Sequence, residues 1–254
     1  MEVILLGTGS SAGTPVIGCG CDTCLSPDPR NKRTRCSIAV EMESGAVLLV
    51  DTAPDLRLQA LREKMKRIDG VLYTHFHADH LNGIDDLRSF CHLQRKPIPV
   101  YGNEATIHGI VQRFGYAFPS SEQQHWDKPV LSAHTVSKTF DVMGTDVIPV
   151  PVMHGKYEIL GYRIRNMGYL TDVSDISDAS MEKLRGLDVL FLDCLRYRFH
   201  PTHFSLEQAI SWAEKIGARE TYLIHMTHEL EYSELSARLP QGMSVAYDGL
   251  RLRI

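Results

Sequence analysis

Thr74-His75-Phe76-His77-Ala78-Asp79-His80 gathers three imidazoles and a carboxylate directly behind the apolar run Gly70-Val71-Leu72-Tyr73. The run reads as a short strand. If Thr74 ends it, His75 and His77 lie two apart in extended backbone, project the same way and can share one cation. Asp79 and His80 follow where the chain turns into a helix and can offer a second pair of ligands to a neighbouring ion. Two metals are implied. Imidazole mixed with carboxylate suits zinc, iron or manganese, whereas magnesium or calcium would call for oxygen alone. Histidines also sit in loops as ordinary hydrogen-bonded side chains, but four such groups at this spacing on a strand exit argue against that reading.

Outward from this stretch, β-branched runs alternate with helical patterns. Strands are expected at Val3–Leu6, Ser37–Val40, Ala46–Val50, Gly70–Tyr73, Ile98–Tyr101 and Asp146–Val150, then at Gly161–Arg165, Asp188–Leu192, Thr221–Ile224 and Leu250–Ile254. Helices are expected at Leu56–Lys66, His80–Phe90, Glu104–Phe114, Met181–Arg185, Leu206–Ile216 and Ser233–Leu239. The fifth is the clearest: Ser205 and Gln208 form a capping box, Leu206, Ala209, Ile210, Ala213 and Ile216 mark one apolar face, and Gly217 ends it. Clusters of this kind imply an α+β fold of two sheets with helices outside. Phe118–Lys138 breaks the rhythm and reads as a loop or lid. With no repeat or linker elsewhere, residues 1–254 are expected to form a single domain.

The chain has 254 residues, 27 Lys and Arg against 31 Asp and Glu, and a formal net charge of −4. Its cations are scattered, so it lacks the basic footprint of a nucleic-acid binder. The opening MEVILLGTGSSAG has no basic leader, and no segment approaches a membrane span, so a cytoplasmic protein is the expectation. In a reducing compartment its six cysteines favour thiols or metal ligands over disulfides. Cys19, Cys21 and Cys24, in CGCDTC, are most economically a structural zinc site that lacks its fourth ligand. Cys36, Cys91 and Cys194 are isolated and read as small buried hydrophobes. His92, His108, His125 and His134 share no spacing of interest and read as solvated or locally bonded.

The unbroken H-x-H-x-D-H pattern of His75, His77, Asp79 and His80, together with the Gly-rich opening LGTGSSAG and the strand LLVD ending at Asp51, resembles the metallo-β-lactamase superfamily. The resemblance implies a four-layer αββα sandwich and supplies the later ligands. His154, in PVPVMHG, would join His75 and His77. Asp172, in GYLTD, would bridge both ions, and His225, in TYLIH, would join Asp79, His80 and Asp172. The CGCDTC loop narrows the likeness to the PhnP-like phosphodiesterase group, which implies a Cys3His zinc site completed by His228 of HMTH. It also implies an acid outside the metal shell, matched here by His203, with neighbouring His200 as an alternative. Asp79 is counted with His203 among the catalytic residues. Asp51 and Asp193, ending strands, are expected as partners of ligand imidazoles or, equally, as acceptors for a turn backbone. Arg196 and Arg198 lie near His203 and could attract phosphate, though loop arginines are more often simply exposed.

Two such ions can deliver hydroxide at neutral pH and offset charge on the attacked group, so hydrolysis is the expected reaction. The motif alone does not choose between lactam, ester, thioester and phosphodiester. The PhnP-like resemblance points to small cyclic phosphates such as ribose 1,2-cyclic phosphate, with two catalytic ions (zinc or manganese, or iron) and one structural zinc. The alternatives are a transfer-RNA 3′-processing nuclease, an ester, lactone or thioester hydrolase of the same fold, and a non-catalytic metal-bound PqqB-like protein. The expected partner is a small phosphodiester, with neither nucleic acid nor membrane; a homodimer is left open.

Overall fold

The structure, a computed structural model, describes residues 1–119 and 127–254. The first half of the chain supplies β1 (Glu2–Gly7), β2 (Ser37–Glu41), β3 (Val47–Val50), β4 (Gly70–Leu72), β5 (Ile98–Gly102) and β6 (Leu131–Thr135). The second half supplies β7 (Phe140–Val142), β8 (Thr145–His154), β9 (Tyr157–Ile164), β10 (Met167–Leu170), β11 (Val189–Asp193), β12 (Glu220–Ile224) and β13 (Met243–Val245), before β14 (Arg251–Arg253) returns to the first sheet. Each sheet has seven strands, in the orders β14-β1-β2-β3-β4-β5-β6 and β13-β12-β11-β10-β9-β8-β7.

Alternation along the strands explains the layering. Val3, Leu5, Ile38, Val40, Leu48 and Val50 face inward and meet Leu160, Tyr162, Tyr169 and Phe191 of the other sheet. Ile4, Leu6, Ala39 and Leu49, one residue out of phase, face outward. They are covered by α2 (Leu56–Arg62), α3 (Ala78–Leu81), α4 (Leu87–Gln94) and α5 (Glu104–Arg113), while α1 (Asp22–Leu25) lies in the cysteine loop. The outer face of the second sheet is covered by α6 (Asp178–Lys183), α7 (Leu206–Ile216) and α8 (Tyr232–Ser236). The result is the expected αββα sandwich. The helix α7 has both halves of its capping box, and Gly217 ends it at φ 68°.

Strands β7, β10 and β13 were not expected from the sequence, and three further elements differ from expectation. The helix expected over His80–Phe90 is two helices, α3 and α4, joined by a short 3-10 turn. Gly83 lies between them because a Cβ there would collide with the Ala53 carbonyl; this close approach lets Gly83 N donate to Thr52 O (2.9 Å) and Thr52 N to His80 O (2.8 Å). His80 is thereby tied to the loop after β3. Within the loop or lid expected over Phe118–Lys138, Leu131–Thr135 forms the edge strand β6, paired with β5. Only its first residue is buried, so its apolar signal is weak; residues 120–126, including His125, lie outside the described residues. The third is β8, which continues past Val150 to His154 despite Pro149 and Pro151. On its side beyond β7, the Lys183 ammonium and Ser180 hydroxyl of α6 donate to the carbonyls of Pro149 and Pro151, so strand hydrogen bonds are not required there. Among the described residues, no helix is long and apolar enough to cross a membrane.

Candidate metal centre

The functional side chains gather where strands of both sheets end. Asp51 follows β3, His75 follows β4, Asp172 follows β10, Asp193 closes β11 and His225 follows β12, while His154 ends β8 and α3 carries Asp79 and His80. All of these strand ends but that of β8 belong to parallel ladders, whose carboxyl ends are the usual ligand crevice of an open sheet. Asp51, Asp172 and His225 take left-handed backbone conformations, with φ of 64°, 59° and 59°. Such conformations cost on the order of 1–3 kcal/mol each and persist where the surroundings impose them. Here each turns a side chain from its strand direction into the crevice.

The ligands expected from the sequence form two adjoining groups: His75, His77 and His154 in one, Asp79, His80, Asp172 and His225 in the other. His75 Nε2 lies 3.0 Å from His77 Nδ1. His80 Nε2 lies 3.1 Å from Asp172 Oδ2 and 3.3 Å from Asp79 Oδ2. His225 Nε2 is 3.4 Å from Asp172 Oδ2. Asp172 also groups with His154 and His203, with its Oδ1 3.8 Å from His203 Nε2. It therefore stands between the two groups, as a bridging carboxylate must.

Further polar groups set the direction of each ring. Asp51 Oδ2 is 2.7 Å from His80 Nδ1 and accepts from the Thr74 hydroxyl at 2.8 Å, which in turn is 3.0 Å from His75 Nδ1. The Thr202 carbonyl lies 2.9 Å from His154 Nδ1. Asp193 lies 3.4 Å from Nδ1 of both His225 and His203, and accepts from the backbone N–H of Phe204 at 2.9 Å. Sequence reasoning included Asp51 and Asp193 but missed Thr74 and Thr202. Thr74 is recoverable as the residue preceding the motif; a carbonyl 48 positions from its histidine leaves no signal.

The charge balance favours cations. Burial opposes the His80 imidazolium, yet Asp172, Asp79 and Asp51 together hold its pKa well above the ordinary histidine range. The same contest, burial against Asp172 and then Asp193 and Asp79, leaves His225 pushed up to about 10. Asp172 and Asp79 resist their own burial because these histidines hold their carboxyls well below the usual range. The His75 imidazole is driven well down by burial and the positive charge at His80, which keeps its lone pair available. Among the described residues, Nε2 of His80 and Nε2 of His225 are buried without a hydrogen-bond partner, while Nδ1 of His225 faces Asp193. Unpaired buried groups cost about 1–3 kcal/mol each; a cation facing these nitrogens removes that cost, so the donor set fits a pair of divalent metals.

The second cluster joins Cys19, Cys21 and Cys24 to His228. Their sulfurs lie 3.3, 3.3 and 3.4 Å from His228 Nδ1, a spacing that one tetrahedral ion with bonds of about 2.0–2.3 Å can span. The Cys24 backbone amide draws the Cys21 thiol down to about 6, and burial pushes the Cys24 thiol up to about 11. The side chain beneath this loop, missed from sequence, is Arg33. Fully buried, it donates to the carbonyls of Thr227 (3.0 Å) and Leu230 (2.6 Å), on either side of His228.

His203 is buried, and its ring stacks 4.9 Å from that of His225, at 9° between planes. His200 stands farther from the cluster; its Nδ1 accepts from the Thr202 backbone and hydroxyl. Arg196 is occupied by the carbonyls of Arg198 and Phe199, and Arg198 by Glu229. Cys36, Cys91 and Cys194 are buried free thiols. His92 and His108 are exposed, and His134 stacks on Tyr101.

Residues 47–226 match the family described as the beta-lactamase superfamily domain. The chain belongs to that superfamily, and its fold and cluster are of the metallo-β-lactamase type. Within the superfamily it is PhnP-like: the crystal structure of a new diphosphatase from the PhnP family matches with a TM-score of 0.92 and 44% identity, over 100% of this chain and 97% of the other. Zn2+-bound PqqB from Methylobacterium extorquens shares the fold, with a TM-score of 0.82, 20% identity and full coverage of both chains. An octanoyltransferase of Porphyromonas gingivalis is 39% identical over 98% of this chain, and the chain spans 51% of that protein's length.

Proposed function

We propose that the protein is a metal-dependent phosphodiesterase acting on small phosphodiesters, a cyclic phosphate such as ribose 1,2-cyclic phosphate being the first candidate. The supporting observation is His203, a buried imidazole outside both ligand groups, backed by Asp193 on one nitrogen and facing Asp172 with the other. The likeness to a diphosphatase of the PhnP family points the same way. His75, His77 and His154 would hold one ion, Asp79, His80 and His225 the other, with Asp172 shared; zinc, manganese or iron all suit these donors. Bound divalent ions supply a deprotonated water at neutral pH and offset charge on the attacked phosphoryl group.

The chain's own contribution is orientation and proton delivery. Asp51 and Thr74 fix His80 and His75, and Asp193 fixes His225, so the rings need not reorganise when substrate arrives. An Nδ1–H of His203 donated to Asp193 leaves Nε2 directed at the cluster. Protonated there, His203 can give its proton to the departing alkoxide, a poor leaving group, for a gain of about 10²–10⁴-fold. Asp193 stabilises the charged ring beforehand. Cys19, Cys21, Cys24 and His228 would hold a structural zinc that closes the first loop on the last strands.

The test is a panel of linear and cyclic phosphodiesters, with a lactone and a thioester beside them, assayed with defined metals. Turnover confined to the lactone or thioester would overturn the reading. A second reading, hydrolysis of an acyl ester or thioester, is favoured by the 39% identity to about half of a protein named octanoyltransferase. An octanoyl thioester in the same panel decides it.

A further inference from the structure

Beside the His75, His77 and His154 group lies a cavity of about 320 Å³ that the proton chemistry leaves unused. This is within the size of small-ligand sites, about 300–1,000 Å³. We infer that it is a subsite for a planar aromatic group carried by the substrate, with Phe76 and Tyr157 as the specificity-determining residues. The inference rests on the phosphodiesterase reading and, within small phosphodiesters, favours over a bare ribose cyclic phosphate an ester in which one group on the phosphate ends in a heteroaromatic ring.

One wall is the motif itself. Phe76 stands between His75 and His77, and its ring is held in place from two sides. A Cβ at Gly109 of α5 would come within 3.1 Å of the ring, so the helix approaches it as only glycine allows. The Arg113 guanidinium lies 5.5 Å from the ring centroid and donates to the Phe76 carbonyl at 2.8 Å. A ring fixed this way presents a preorganised apolar face beside the expected ligands. The opposite wall is the β8–β9 turn, where Ile159 is buried but Tyr157 is 55% exposed. The Lys156 ammonium sits 5.3 Å from the Tyr157 ring centroid.

Neither phosphate nor a polyhydroxylated sugar has a use for two aromatic rings and an isoleucine, because hydroxyls pressed on apolar walls lose hydrogen bonds to water. A heteroaromatic ring matches both parts of the cavity. Its faces suit Phe76 and Tyr157, and its polar edge suits Lys156 and Glu158 at the lining. His203 is not among the walls, so the cavity is assigned to the group that stays on phosphorus, with the leaving group on the side of the acid.

The experiment uses the metal-loaded protein and two esters with the same leaving group, thymidine 5′-(p-nitrophenyl) phosphate and methyl p-nitrophenyl phosphate. Stacking of a base on aromatic side chains predicts a kcat/KM about tenfold higher for the nucleoside ester. Ala105→Trp, at an exposed position lining the cavity, should erase that preference and leave the methyl ester within about twofold, and Tyr157→Ala should reduce the preference several-fold. Calorimetry with thymidine 5′-monophosphate, methyl phosphate and octyl phosphate reads binding without turnover; the nucleotide should bind tightest, and only its affinity should fall in Ala105→Trp. Equal kcat/KM for the two esters, or equal losses of both in Ala105→Trp, would remove the subsite while leaving the phosphodiesterase reading intact. Tighter binding of octyl phosphate would reassign the cavity to an alkyl chain. If neither ester is hydrolysed, the phosphodiesterase reading falls, and the calorimetric preference alone decides the cavity.

Discussion

The two metal-type clusters meet at one short segment, His225-Met226-Thr227-His228, yet they are built in opposite ways. The larger cluster stands on strand ends, and His75, His80, His154, Asp172 and His225 are all buried. Its rings are oriented by Asp51, Thr74, Asp193 and the Thr202 carbonyl. The smaller cluster stands on a glycine-containing loop in which Cys19 and Cys21 are half-buried, and its sulfurs converge on His228. Arg33 braces the backbone on either side of that histidine. The larger site is organised by the fold, whereas the smaller one, with the proposed zinc bound, would organise part of the fold. Removing a ligand should therefore cost turnover in one and stability in the other.

The largest expected effect belongs to the larger cluster. Asp79→Ala should lower kcat/KM on the order of 10⁴-fold, beyond the 10–100-fold typical of outer partners, with the melting temperature within a few degrees of the parent. His77→Ala should behave alike. A protein that keeps substantial phosphodiesterase activity with either change does not use this cluster for catalysis. Next comes His203→Ala, with a loss of about 10²-fold for a substrate with an alkoxide leaving group. With p-nitrophenolate, which departs without a proton, most of that loss should vanish; equal losses would take His203 out of the acid role.

These contrasts also explain what the sequence could reveal. The H-x-H-x-D-H pattern is local, so His75, His77, Asp79 and His80 were legible from spacing alone. His154, Asp172 and His225 came only through family likeness, because each stands alone in sequence and is gathered by the sheets. Long apolar strands buried on both faces were legible, as in β1, β3 and β11, but the short β10, with a glycine among its four buried residues, was missed. They were misjudged at edges and bends: the exposed residues of β6 hid a strand, and Pro149 and Pro151 hid the last turn-ward residues of β8 that deliver His154. Gly83 broke a helix for a reason that lies 30 residues away at Ala53. Close approaches of this kind have no local signature.

The smaller cluster should respond through stability. Cys21→Ser, in protein purified with its native metal, should lose one zinc per chain by elemental analysis. It should also destabilise the fold by several kcal/mol, because binding at a closed site is coupled to folding. Activity per folded molecule should drop only a few-fold, through loosened backbone on either side of His228. If the variant keeps its melting temperature and zinc content, the four side chains are not a structural site, and the proposed division of labour within His225–His228 fails.

The smallest effect is the most discriminating, because it divides the larger cluster internally. Asp51 serves His80 alone among the imidazoles, whereas Asp193 serves both His225 and His203. Asp51→Asn and Asp193→Asn should each weaken metal affinity and activity by about 10-fold, as outer partners do. Their dependence on the leaving group should differ. Losing the Asp51 charge affects only the ligand side and should slow alkoxide and p-nitrophenolate substrates equally. Asp193→Asn also withdraws the carboxylate that stabilises a protonated His203, so alkoxide substrates should suffer several-fold more. At saturating metal the Asp51→Asn deficit should largely recover, while the extra alkoxide deficit of Asp193→Asn should persist, since added metal cannot restore a proton donor. If the two variants show the same leaving-group profile, Asp193 supports the metal ligand only, and His203 works without it.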